Sequence, residues 1–338
     1  MRIAVCFGTR PEIIKLAMLS QKLRKYHDVS NIFTGQHSSL FDDVKHLIDV
    51  IDFSISIPKD QNVISLYSIL TEKLGEIFLR EKFDLVIVQG DTASAYAASL
   101  AAFLCNIKVG HVEAGLRTHN LFSPFPEEFN RQMISKIAEY NWCPSAIAYK
   151  NLQDEHINGK ILLTGNTIVD FVQSFCNKIP ISETNDIIVT LHRRENTNVF
   201  ENVLNQLNSV AEAHPYLNFI FPVHPNPIIR EKVKILAARN IFVQSPMKYE
   251  DFLARLSSCR GIISDSGGIQ EEAVCLRKKM LVCRNTTERM EAVNCGISRL
   301  VYDNITDNFG WLLEPILHKY INPYGEGNAC EKIIETII

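Results

Sequence analysis

The stretch "IISDSGGIQEEA", residues 262–273, begins apolar, breaks at two adjacent glycines and resumes with two adjacent glutamates. Its periodicity predicts a buried strand over 261–264 and a helix from Ile269 onward, with Ser266, Gly267 and Gly268 as the turn between them. Such a turn at a helix N-terminus presents backbone N–H groups to an anion, usually phosphate, and the missing side chains let a ligand come close. Glu272, one turn into the helix, then suits neutral hydroxyls such as those of a ribose. Taken alone, the turn is equally well a plain βα connection whose glycines only ease packing.

The same alternation of short apolar runs and amphipathic stretches extends in both directions, which predicts an α/β fold around parallel sheets. Strands are predicted over 3–7, 29–33, 85–88, 109–112 and 161–163, with helices such as 11–24 and 94–103 between them. The polar stretch 177–185, with Pro180, Ser182, Thr184 and Asn185, reads as a linker. A second series follows over 187–190, 219–222, 241–244, 261–264 and 280–283. The expected fold class is therefore α/β, as two Rossmann-like doubly wound domains over about 1–170 and 180–321. Ligands in such sheets bind beyond the carboxyl ends of the strands, so two facing domains would hold the site in the cleft between them.

A chain of 338 residues with 46% hydrophobic content can build two such cores. The net charge of −3, with lysines and arginines dispersed, gives no pull toward nucleic acid. Nine cysteines without a C-x-x-C pair predict that most are buried, reduced thiols in the cytoplasm. Neither H-E-x-x-H nor a Cys/His ligand spacing occurs, and no metal or cofactor is expected. The opening "MRIAVCFGTRPE" reads as strand and turn rather than as the apolar stretch of a signal peptide. No run reaches the roughly 18 to 20 apolar residues needed to span a bilayer, so no membrane partner is expected.

Nearly every conspicuous polar cluster falls just after a predicted strand. In "FGTRPEIIK", Arg10 sits in the turn, Pro11 suits the first helical position and Lys15 lies one turn further on, so both cations can face a diphosphate. A capped helix with a solvated Arg and Lys is the plainer account. Only one glycine occurs where a dinucleotide fingerprint needs three. "VQGDTASA" places Asp91 after a buried strand, where it also suits a helix cap. "GHVEAGLRTHNLFSPFPEEFNRQ" carries Glu113 at a strand end, then Arg117, then Glu127, Glu128 and Arg131 beyond a proline-bearing loop. So many charges without alternating apolar residues are poorly explained by packing and point to catalysis, with surface ion pairs the alternative for Glu128 and Arg131.

In the second half, "VTLHRREN" puts His192 at a strand end, as a phosphate donor or proton carrier, and "FPVHPNP" repeats the pattern at His224 with less force. "RNTTERMEAV" adds Arg284 and Arg289. Tyr249 and Phe252 stand at helical spacing, which more often marks core than a base-stacking platform. Together the clusters form the kit for a nucleotide-sugar. Its diphosphate would lie on the helix N-terminus, its ribose on Glu272, its base near Phe252 and its sugar against Asp91, Glu113 and Glu127.

Ten blocks in order, from "FGTRPEIIK", "GDT" and "HVEAGLRT" through "SPFPEEFNR", "TGNTIVD", "HRREN" and "PVHPNP" to "DSGGIQEE", "TTERMEAV" and "NPYGEG", resemble the non-hydrolysing UDP-N-acetylglucosamine 2-epimerases. The resemblance covers nearly the whole chain and implies the two-domain GT-B architecture, with a last helix, about 322–338, returning to the first domain. It implies a cytoplasmic homodimer serving polysaccharide biosynthesis. Asp91, Glu113, Glu127 and His192 match catalytic or sugar-binding positions. Arg10, Lys15, Ser266, Gly267, Gly268 and Arg289 match those around the diphosphate, and Arg117 and Arg131 accompany them as substrate-binding residues. Glu272 matches the ribose position and Phe252 the uracil position. Met247 replaces a family glutamine there, a change without consequence if only its backbone meets the base.

Members regulated by a second UDP-N-acetylglucosamine usually continue the pair corresponding to Gln36-His37 with Arg and then Gln or Glu. This chain has Ser38-Ser39. It also lacks the arginine of the helix near Ser68, while Arg193 and His224 remain.

The resemblance implies C2 epimerisation without a nicotinamide or an obligatory metal. UDP leaves C1, the C2 proton is removed, and a neutral 2-acetamidoglucal is reprotonated on the other face before UDP returns. Relatives acting on diacetamido uronic acid nucleotides share much of the motif set. A GT-B glycosyltransferase would share the turn and Glu272 but needs an acceptor and a single base, and a catalytically silent sensor would not need the carboxylates.

Overall fold

The computed structural model of the chain describes residues 1–36, 41–58, 61–191, 197–223, 227–316 and 320–338. The chain divides into two compact units, Met1–Phe171 with Pro323–Ile338, and Val172–Asn322.

Among the described residues, the first unit is built on seven strands: β1 Arg2–Phe7, β2 Asp28–Phe33, β3 Phe53–Ser54, β4 Leu85–Gln89, β5 Lys108–Val112, β6 Tyr140–Cys143 and β7 Lys160–Leu163. They pair in parallel in the order β3-β2-β1-β4-β5-β6-β7. Every residue of β4 and all of β1 after Arg2 is buried, the near-continuous apolar signature of a parallel sheet covered on both faces. One face is covered by the helix Val63–Glu81, whose Leu70, Leu74 and Phe78 recur at helical spacing, and by the alanine-rich helix Ala93–Leu104. The chain order reverses between β1 and β4, so their carboxyl ends flank a topological switch point, where doubly wound sheets place their ligands.

The second unit repeats the plan with β8 Asp186–Thr190, β9 Asn218–Pro222, β10 Ile241–Gln244, β11 Gly261–Ser264, β12 Met280–Val282 and β13 Ser298–Leu300. The parallel order is β10-β9-β8-β11-β12-β13, with its reversal between β8 and β11. Its core joins Leu204, Leu207 and Ala211 of the helix Thr197–Ala213 to Ile187, Val189, Phe219 and Phe221.

The ten predicted strands lie within one residue of β1, β2, β4, β5 and β7 to β12. Periodicity misses β3, β6 and β13. Of these, β3 has two residues, β13 has three, and β6 reads "YNWC", with polar Asn141 interrupting an apolar run. The last helix is shorter than the predicted 322–338: it spans Ala329–Glu335, because Pro323 and the positive-φ Gly325 and Gly327 hold the preceding chain in turns. Asp170 accepts from the amides of Ala329 at 3.1 Å and Cys330 at 3.0 Å, and Trp142 Nε1 donates to Thr336 Oγ1 at 3.0 Å. Residues 177–185 carry neither helix nor strand, yet the chain passes between units earlier, inside the helix Thr167–Cys176. Among the described residues no helix is long and apolar enough to cross a membrane.

Candidate active site

The carboxyl ends of β1, β4 and β5 gather the charged groups of the first unit. Glu113 directly follows β5 with φ of 68°, a left-handed conformation that costs a side-chain-bearing residue and is retained where the surroundings enforce it. Its Oε2 accepts from Lys15 Nζ, and both side chains are buried. A Cβ added to Gly90 would stand 3.8 Å from Glu113 Oε1, so the carboxylate lies alongside the turn that carries Asp91.

Asp91 is held from two sides. Arg131, from the helix Glu127–Ile137, donates to Asp91 Oδ2 through Nη2 and, at 3.0 Å, through Nε. Asn130 Nδ2 donates to the Asp91 carbonyl at 2.8 Å and takes the Tyr67 hydroxyl on its Oδ1 at 2.8 Å. Burial raises the Tyr67 phenol, with Glu127 and Asp91 adding in the same direction, so both carboxylates lie within electrostatic reach of that ring. Asp91 and Glu113 thus lie at adjoining turns of the first unit, with Glu127 opening the helix that carries Arg131.

Two of the arginines expected near the substrate are engaged by carboxylates of the same unit. The side chain of Arg117 is fully buried and its Nε and Nη2 reach Glu155 at 2.6 and 2.9 Å as a bidentate pair. Arg131 joins Asp91 to Glu128, whose Oε2 its Nη1 meets at 3.1 Å. Glu128 in turn accepts from the Thr118 and His119 amides at 3.0 and 3.1 Å, and so clamps the loop that precedes its own helix. Arg10 is half-exposed, 3.9 Å from Asp43.

The sequence reading overlooks two residues here. Glu12 is fully buried, and its Oε2 accepts from the Gly8 amide, the Thr9 amide and the Thr9 hydroxyl at 3.0, 2.8 and 2.7 Å. Its Oε1 accepts from the Thr92 hydroxyl at 2.7 Å, which joins the end of β1 to the end of β4. Burial pushes this carboxyl up to about 7, against the hydrogen bonds that lower it. The signal was the Thr-x-x-Glu spacing of a capping box. His111, within β5, sits 2.8 Å from the Gly90 carbonyl through Nε2, and burial lowers its imidazole to about 4.

In the second unit the helix Gly267–Leu276 starts directly behind β11, with Ser266 as its N-cap. Ser264 Oγ accepts from the Ser266 amide at 3.0 Å and lies 2.6 Å from Thr190 Oγ1, which ties the turn to β8 across the switch point. A Cβ on Gly267 would stand 2.6 Å from Arg289 Nη1, so the guanidinium lies directly over the start of the helix. Arg289 is held there by Glu271, at 2.7 Å, and by Glu288. A Cβ on Gly268 would meet nothing within 4 Å. A helix start with open space beside it is the kind of place that suits an anion, and the nearby guanidinium is engaged by Glu271 and Glu288. Tyr249 is core, and its hydroxyl donates to Glu272 Oε1 at 2.7 Å, fixing the carboxylate one turn in. Phe252, in the helix Tyr249–Ser258, and Met247, just before it, are both half-buried.

His192, Arg193, His224 and the segment 37–40 lie outside the described residues. Among the described residues no group of three or more His, Cys, Asp or Glu side chains is placed to hold a metal ion.

Residues 21–338 match the family model described as UDP-N-acetylglucosamine 2-epimerase. The chain is similar to the UDP-N-acetylglucosamine 2-epimerase of Neisseria meningitidis, at 36% identity over 100% of this chain and 99% of that protein. It is similar to the enzyme of the same name from Campylobacter jejuni, at 38% over 100% and 97%. The crystal structure of the Neisseria meningitidis enzyme bound to UDP-GlcNAc superposes with a TM-score of 0.93 at 35% identity, covering 100% of this chain and 99% of that one. A spinosyn rhamnosyltransferase, 12% identical with a TM-score of 0.54, shares the fold alone.

Proposed function

The chain belongs to the UDP-N-acetylglucosamine 2-epimerase family, and from that premise we propose how its residues interconvert UDP-N-acetylglucosamine and UDP-N-acetylmannosamine. The C2 hydrogen is not next to a carbonyl and is scarcely acidic. Departure of UDP from C1 develops positive charge there, and C2 can then lose its proton to give 2-acetamidoglucal. Protonation of the opposite face and return of UDP complete the inversion.

That route needs proton-transfer groups for both faces of C2 and a cradle for the leaving diphosphate. Asp91, Glu113 and Glu127 take the proton-transfer roles. Lys15 holds Glu113 and Arg131 holds Asp91, so the carboxylates are fixed before substrate arrives. The Ser266-Gly267-Gly268 turn and Arg289 receive the diphosphate, with Arg10 and His192 steadying it, while Glu272 takes the ribose and the Phe252 region the uracil. The observation that supports this reading is buried Glu113 alongside the Gly90 turn that carries Asp91, at the ends of β5 and β4. Family membership also supports a homodimer, and nine cysteines without a C-x-x-C pair suit the cytoplasm.

Purified protein incubated with UDP-N-acetylglucosamine alone, in heavy water, tests the proposal by NMR. The expected result is a second anomeric signal and deuterium at C2 of both epimers. Sugar transfer that appears only when an acceptor is added would replace epimerisation with glycosyl transfer.

A further inference from the structure

Glu12 stands at the switch point of the first sheet, and its bonding fixes where a proton can sit. Three donors converge on Oε2, namely the Gly8 amide, the Thr9 amide and the Thr9 hydroxyl, so that oxygen has no room for a hydrogen of its own. Protonation therefore falls on Oε1, the oxygen that accepts from Thr92. Thr92 Oγ1 already accepts from the Ala95 amide at 3.0 Å as the N-cap of the helix Ala93–Leu104. A hydroxyl has one hydrogen to give, and in the ionised network it goes to Glu12. With Oε1 protonated, Thr92 becomes the acceptor on that side too, and its own hydrogen must turn elsewhere. Asp91 is the adjacent residue.

We propose that ionised Glu12 is a positioning residue of the epimerisation: by accepting from Thr92 it sets the direction of that hydroxyl and the placement of the Asp91 carboxylate. The proposal rests on the functional reading above. All four bonds to Glu12 come from neutral donors, and the charged groups around it are otherwise engaged. On its own helix Arg10 faces Asp43 and Lys15 donates to Glu113, across the β4 turn Asp91 is held by Arg131, and on β1 burial raises the Cys6 thiol, with the Glu12 charge adding to the same effect. Burial holds the Glu12 carboxyl at about 7, so assays near neutrality sample both of its forms.

The test is the pH profile of kcat for wild type, E12Q, T92A and T92S. The amide of E12Q mimics the protonated acid: its oxygen takes the Gly8 and Thr9 donors and its NH2 donates to Thr92. Wild-type kcat is expected to fall as the pH drops through about 7. E12Q should fold normally, lose about tenfold or more in kcat at pH 8 with a smaller change in KM, and be flat through that window. T92A should lose the same limb of the profile, and T92S, which keeps a hydroxyl, should retain it. An E12Q enzyme with wild-type kcat at pH 8, or with the limb intact, overturns the proposal. If E12Q does not fold, a T92A profile that keeps the limb overturns it equally. Wild-type protein that converts no UDP-N-acetylglucosamine at all overturns the functional reading, and this proposal falls with it.

Discussion

Arg131 Nε donates to Asp91 Oδ2 across 3.0 Å while its Nη1 donates to Glu128 Oε2 across 3.1 Å, so one planar guanidinium spans a candidate proton-transfer group and a fully buried loop clamp. A lysine carries the charge but not the fork. Arg131→Lys should therefore leave far-UV circular dichroism unchanged and lower kcat by about ten- to a hundredfold through misplacement of Asp91. KM for UDP-N-acetylglucosamine should move less. Wild-type kcat in this variant would show that Asp91 needs no such hold.

Lys15 and Glu113 form a buried pair. Removing one partner leaves the other charge buried, which typically costs 3–5 kcal/mol, whereas removing both charges can be nearly neutral. Lys15→Met should destabilise by about 3 kcal/mol, and adding Glu113→Gln should recover most of it, giving strong coupling in a double-mutant cycle. Activity should be lost in all three variants. Additive losses in urea denaturation would contradict the pairing.

Gly267 and Gly268 should separate packing from function. A methyl at Gly267 stands 2.6 Å from Arg289 Nη1 and must displace it, whereas a methyl at Gly268 meets nothing within 4 Å. Gly268→Ala should keep or raise the melting temperature, since alanine is favoured over glycine in a helix by up to ~1 kcal/mol. It should nevertheless weaken UDP binding by about tenfold or more, because the methyl fills space a ligand would use. Calorimetric titration with UDP reads this, and unchanged affinity would return Gly268 to a purely structural role.

The two sheets were legible because parallel strands covered on both faces leave continuous apolar runs, and the strand ends then located Asp91, Glu113, Ser266 and Gly267 without any knowledge of contacts. Pairings between distant segments were not legible. Arg131 reaches Asp91 across 40 residues and Arg117 reaches Glu155 across 38, and in the sequence both arginines look equally available to a ligand. The docking of helix Glu127–Ile137 beside helix Ala93–Leu104 brings Arg131 to Asp91, a pairing that no local pattern announces. Glu12 was missed for a related reason. Its spacing from Thr9 announces a helix cap, but its bond to Thr92 depends on β4 lying next to β1.

Glu12 and His111 should pull the pH dependence of stability in opposite directions. Burial takes the His111 imidazole from 6.5 to about 4, so between those values the unfolded chain carries a proton that the folded chain lacks. Stability is therefore lost as the pH falls through that window. Burial takes the Glu12 carboxyl from 4.5 to about 7, so there the folded chain carries the extra proton and stability is lost as the pH rises. Each effect is on the order of 3 kcal/mol across its full window. Between about 4.5 and 6.5 the two slopes offset one another, with His111 acting alone below that range and Glu12 alone above it. Relative to wild type, E12Q should gain stability progressively from pH 4.5 to 7, whereas His111→Gln should gain it progressively from pH 6.5 down to 4. Urea denaturation of the three proteins at fixed ionic strength reads both differences. An E12Q curve parallel to wild type would mean that Glu12 keeps an ordinary carboxylate titration despite its burial.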